Sequence, residues 1–147
     1  MQTLSESLPR TGPLHRAGLW GRFKQRLARA RADARLREDL RYELRCLEQA
    51  GELDGALANI GLSRAAIPEL LRRYPGSVRR YAAMARRIGV RPPSPRAGLV
   101  ALIGSRRRCV FCGESRRCDR WLGADARQGY REFCPNADTF DGMKQRG

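Results

Sequence analysis

Long apolar runs are missing from this chain of 147 residues. The longest, Leu99 to Ile103, is far short of the roughly 20 residues that a membrane-spanning helix needs, so a transmembrane segment is excluded. No stretch alternates apolar and polar residues for long enough to make a strand, which argues against a sheet. Histidine is nearly absent. The single one, His15, has no acid or nucleophile near it in sequence and reads as a solvated side chain. With no Ser/His/Asp set, no Gly-rich phosphate loop and no locally paired carboxylates, the chain offers nothing for an enzyme or for a small-molecule substrate. Met1 to Leu19 has neither the charged start nor the continuous apolar core of a secretory signal, so a cytoplasmic address is expected.

Acidic residues are also scarce. Fifteen Asp and Glu face thirty Lys and Arg, leaving a formal charge of +15 spread along the whole chain. Arginine supplies 28 of the 30 basic side chains. Between Leu70 and Gly113 there are eleven arginines and no acid. Charge of this sign suits a nucleic-acid backbone or an anionic membrane surface.

Residues 1–16 carry Ser, Pro, Gly and Thr without periodicity and read as a flexible tail. From residue 17 to about 50 there is no proline. Trp20, Phe23, Leu27, Ala30 and Ala34 recur at three and four residue steps, and Leu36, Leu40, Leu44 and Leu47 continue with a shifted stripe. One long basic amphipathic helix follows, ending at Gly51. Its first part, residues 17–37, is a candidate for an anionic membrane surface or a nucleic-acid backbone, with a solvated face on a packing helix as the plainer alternative. Cys46 on this helix is expected to be a buried small hydrophobe.

Residues 51–92 form a helical hairpin unit. Ala56, Ile60, Gly61, Leu62, Ile67 and Leu70 stand where a helix-turn-helix places its inward residues and turn glycine. Pro68 is expected to restart the second helix, Pro75-Gly76 to stop it after two turns, and Ser77 to cap a further helix that Gly89 ends. Arg79, Arg80, Arg86 and Arg87 lie seven residues apart in pairs and are the candidate nucleic-acid-binding residues. Arg91-Pro92-Pro93-Ser94-Pro95 reads as a linker, with helix again expected from Arg96 to Ser105.

Residues 93–147 hold the sharpest feature. Cys109-x2-Cys112-x5-Cys118-x15-Cys134 gathers four of the five cysteines, and thiols that stay reduced in a cytoplasm serve as metal ligands more often than as disulfides. Four thiolates without histidine suit zinc or an iron–sulfur cluster, with a dithiol redox role as a third possibility. Cys134 precedes Pro135 and an expected helix from Asn136 to Gln145, whose dipole would favour a thiolate. A four-thiolate centre is anionic, so some of the nearby arginines are expected to neutralise it. From Cys109 onward the large apolar residues are too few to order this segment alone, and metal loading is expected to hold it together while the earlier helices need no such help.

Two partial resemblances concern the cysteines. Cys109-x2-Cys112-x5-Cys118 resembles three of the four ligands of iron–sulfur DNA glycosylases, and Cys134-Pro135 resembles the Cys-Pro ending of ferredoxin motifs, while the remaining spacing departs from both. A wider one covers residues 52 to 142. From Ile60-Gly61-Leu62-Ser63 through Arg87-Ile88-Gly89-Val90 to Cys109-Val110-Phe111-Cys112, Cys118, Trp121-Leu122 and Phe133-Cys134-Pro135-Asn136-Ala137, the chain resembles an uncharacterised proteobacterial cysteine-cluster family, a domain of unknown function. The resemblance implies a helical hairpin followed by a four-cysteine module with Cys109, Cys112, Cys118 and Cys134 as ligands, and it implies no activity.

The sequence thus points to an all-α protein: a long N-terminal amphipathic helix, a small helical hairpin and a C-terminal four-cysteine metal module. The expected role is a non-catalytic cytoplasmic metal-binding adaptor or regulator, with zinc as cofactor and a protein or nucleic acid as partner. The alternatives are a nucleic-acid-binding regulator and an iron–sulfur redox carrier or sensor.

Overall fold

The computed structural model describes residues 14–91, 105–124 and 126–145, and for residues 14–17 the backbone alone. The described chain is all-α, with no strand. Six helices follow one another: α1 (Leu14–Gln49), α2 (Leu53–Asn59), α3 (Ile67–Ile88), α4 (Ser105–Val110), α5 (Ser115–Gly123) and α6 (Ala137–Gln145). Short 3-10 turns at Arg64–Ala66 and Tyr130–Glu132 lead into α3 and towards α6. The helix expected over residues 96–105 lies mostly outside the described residues.

By its internal packing the chain divides at Ala32/Asp33, inside α1. In the first unit no described residue is buried, and Leu19, Trp20, Phe23 and Leu27 are exposed. The second unit holds both hydrophobic cores. One joins Leu40 and Leu44 of α1, Leu53, Leu57 and Ile60 at α2, Leu70, Tyr74 and Val78 of α3, and Val110 of α4. The other joins Tyr81, Met84, Ala85 and Ile88 of α3 to Cys118, Trp121, Tyr130, Phe133, Ala137 and Phe140. The hairpin and the cysteine segment therefore share α3, whose apolar side serves one core with its first half and the other with its second.

Glycines end α1, α2 and the long α3. At Gly61, φ is +63°, the Gly61 N–H donates to the Ala58 carbonyl (2.8 Å) and the Leu62 N–H to the Leu57 carbonyl (2.9 Å). A left-handed residue closes the helix and satisfies carbonyls that would otherwise be orphaned. The same pattern recurs at Gly51 and Gly89.

Two sequence expectations are corrected. Pro75-Gly76 does not stop a helix: α3 runs unbroken through Pro75 for 22 residues. Pro75 is buried there, and the Ser77 hydroxyl, expected to cap a new helix, donates back to the Tyr74 carbonyl at 2.7 Å inside the continuing one. Burial of Leu70, Tyr74, Val78 and Tyr81 on successive turns outweighs the local cost of about 3 kcal/mol for an interior proline. Cys46 is exposed, not buried. It stands two residues from Leu44, about 200° around the helix, when Leu40 and Leu44 face the core.

Candidate metal centre

Each of the four clustered cysteines comes from a different local setting. Cys109 lies on α4, Cys112 in the turn that follows it, Cys118 on α5, and Cys134 between the second 3-10 turn and α6. The Cys112 N–H reaches back to the Cys109 carbonyl at 3.4 Å, closing the tight turn that a two-residue spacing calls for. All four line one small cavity of about 20 Å³, together with Arg80, Met84, Ser115, Phe133 and Pro135. Trp121, packed edge-on against Tyr130 and Phe133, anchors α5 on the side that carries Cys118.

The thiols are free, and burial favours the protonated form of three of them. Burial, reinforced by the neighbouring Cys134, Cys112 and Cys118, pushes the Cys109 thiol up to about 12, although a hydrogen bond from Asn136 opposes the rise. Burial and the Cys134 thiol likewise push Cys118 up to about 11, and burial raises Cys134. Every pair among the four is thus close enough to interact electrostatically. As they stand, no three or more His, Cys, Asp or Glu side chains among the described residues are arranged to hold a metal ion.

Asn136 is the site residue whose role the sequence did not disclose. It is fully buried, its Nδ2 donates to Cys109 Sγ at 3.2 Å, and its backbone N–H donates to the Cys134 sulfur. A neutral thiol is a weak acceptor, whereas a metal-bound thiolate is a strong one. A buried amide aimed at two sulfurs of one cluster therefore fits a thiophilic ion, and so does the donor set of four thiols. The available signal was a polar residue two positions after Cys134, in a segment otherwise rich in core residues.

The arginines divide by what they touch. Arg79 pairs with Asp33, Arg80 holds Asp119 through two bonds of 2.7 and 3.0 Å, and Arg87 donates to the Leu122 and Ala126 carbonyls while lying over the Trp121 ring. Arg86 is exposed. Three of the four candidate nucleic-acid residues thus also tie α3 to other parts of the second unit. What the spacing did not reveal is a cavity of about 480 Å³ beside Cys109 and Cys112, where Arg37 of α1, Arg72, Arg73, Arg79 and Arg80 of α3, and Arg116 of α5 converge with Asp33. Arg108 donates to the Pro135 carbonyl, and Arg117 pairs with Glu132, so the basic residues around the knuckle also brace the loops that carry the sulfurs. The side chain of His15 lies outside the described residues.

Comparison with family models, curated proteins and solved structures finds no match for the chain. The resemblance to a cysteine-cluster family rests on its motifs alone.

Proposed function

We propose that this protein is a non-catalytic cytoplasmic adaptor or regulator whose C-terminal cysteines hold one structural zinc ion. The observation that carries the reading is the convergence of Cys109, Cys112, Cys118 and Cys134 on a single cavity, with the buried Asn136 amide donating to Cys109. Its volume of about 20 Å³ suits one ion, since a single water-sized species needs about 10–15 Å³. A cluster of several iron and sulfide atoms would require the walls to part. When bound, the metal would supply a cross-link between α4, α5 and the start of α6, with four ligands leaving no open position for catalysis. The chain's own part is to release thiol protons, to stabilise the thiolates through Asn136, and to offset their charge with Arg80 and its neighbours. Cys112 also borders two further cavities, of about 980 and 480 Å³, and so offers a route of entry.

The test is anaerobic purification followed by metal analysis and an absorption spectrum. One zinc per colourless chain is expected, retained in Cys46→Ser and mostly lost in Cys112→Ser and Cys134→Ser. Equal loss in all three variants would refute the site, and a brown protein with iron and sulfide would replace zinc by an iron–sulfur centre and the role by that of a redox carrier or sensor.

The arginine-lined cavity favours a second reading, a regulator that binds nucleic acid. There Arg37 and Arg116, which make no ion pair among the described residues, would lead in neutralising phosphate. Arg37→Gln with Arg116→Gln should then weaken binding to duplex DNA and flatten its salt dependence by about 0.9 log unit for each phosphate left unneutralised. An unchanged slope, or no binding at low salt, retires this reading.

A further inference from the structure

The first unit carries a surface that neither reading uses. Taking about 100° per residue along α1, Leu19, Phe23, Leu27 and Trp20 fall within an arc of roughly 100°, with Ala30 inside it. All four large side chains are exposed, at 61%, 53%, 41% and 59% respectively. Trp20 and Phe23 stack on each other with ring centroids 5.6 Å apart, and the Lys24 ammonium lies over the Trp20 ring at 5.5 Å. Basic residues border the arc on both sides, Arg22, Arg26 and Arg29 on one and Lys24 and Arg31 on the other, and all five are exposed. Residues 14 to 32 contain no Asp or Glu.

From this arrangement we infer that residues 18–31 of α1 lie in the surface of an anionic lipid bilayer, with the apolar arc among the acyl chains and the two basic rows at the headgroups. An apolar stripe between rows of Arg and Lys is what an interfacial helix requires, because long basic side chains can bury their stems and still reach phosphate. The helix does not cross the membrane, since no described helix is long and apolar enough. Charge decides against a second copy of the same helix, for two such surfaces would bring together like charges with no acid to pair them. Phosphate along a nucleic acid would satisfy the arginines, but Leu19 and Leu27 would gain nothing from it. Only a lipid surface answers both faces. Each basic residue near an anionic leaflet adds about as much as a several-fold gain in affinity, and each apolar side chain buried adds more.

The full chain, with vesicles as probe, tests this. Co-sedimentation with mixed phosphatidylcholine and phosphatidylglycerol vesicles at low salt is expected, with at least about tenfold weaker binding to pure phosphatidylcholine. Because +15 of net charge could hold the chain to such vesicles without α1, the deciding variant keeps every charge: Trp20→Ser, Phe23→Ser and Leu27→Ser together. None of the three is buried, so helical circular dichroism should survive, and binding should fall at least about tenfold. Tryptophan emission should move to shorter wavelength on binding in the natural chain and not in Trp20→Phe, since Trp121 is already buried. Vesicle binding unchanged in the triple variant overturns the inference. So does a triple variant that binds a single-stranded RNA oligonucleotide more weakly while its vesicle binding stays intact.

Discussion

Asn136 matters to the cluster through two donors on one residue. If its amide stabilises thiolate on Cys109, Asn136→Leu should fold but hold zinc about 10 to 100 times more weakly, as when other outer-shell partners of metal ligands are removed, and a chelator competition would measure it. Unchanged affinity would make Asn136 a packing residue only. At the hairpin turn, the methyl of Gly61→Ala meets two obstacles: φ of +63° and the Arg107 guanidinium, whose Nη2 would stand 2.8 Å from it. Arg107 is a flexible side chain and can give way, so the backbone conformation dominates, and a loss of about 1 kcal/mol in urea unfolding is expected. Glu69 shows how an exposed ion pair sets a titration. Its hydrogen bond from Arg72, opposed by desolvation and helped by Arg73, holds the carboxyl at about 2, down from the ordinary 4.5. A carboxyl depressed on folding contributes stability above its ordinary value and loses it as pH falls from 4.5 through about 2. Side-chain NMR should find the low midpoint in the natural chain and a higher one in Arg72→Gln.

The helices differ in how locally they are specified. α1 is one element with two environments, and the same kind of substitution should read differently along it. Leu40→Ala removes a side chain with no exposed surface and should cost about 2 to 5 kcal/mol, whereas Leu27→Ala, at 41% exposure, should change stability by less than about 0.5 kcal/mol. Equal costs measured by urea unfolding would mean that the first part of the helix is covered in solution. α3 behaves in the opposite way: local signals favour breaking it at Pro75, and its buried side on both cores keeps it whole.

For the whole second unit, the apolar complement from Cys109 onward is incomplete without α3. Tyr81, Met84, Ala85, Ile88 and Val90 pack into the same core as Trp121, Tyr130, Phe133 and Phe140, so the cysteine segment draws on a platform already formed. This revises the expectation, drawn from the apolar content after Cys109 alone, that metal loading holds the segment together: metal removal under reducing conditions should loosen the knuckle more than it unfolds the segment. Protease should cut first near Cys112 and Gly113, Trp121 fluorescence should shift modestly, and most helical circular dichroism should remain. A complete loss of protection from residue 105 to 145 would mean that the metal, and not α3, supplies most of the order.

The sequence by itself determined the class of the fold and the candidate ligands. Helical periodicity, glycines placed at helix ends and the Cys-x2-Cys turn are local properties, and each is written within a few residues of where it acts. The stripe Leu36, Leu40, Leu44 and Leu47 likewise announced the side of α1 that meets the core. Tertiary structure decided what depends on residues far apart in the chain. Pro75 stays helical because distant partners bury its neighbours, and Asn136 reaches Cys109 across 27 residues. The arginines show the same limit, since counting them gave charge but not destination. Arg80 finds Asp119 at 39 residues' distance and Arg79 finds Asp33 at 46, pairings that a charge tally cannot contain because they exist only once α1, α3 and α5 have packed.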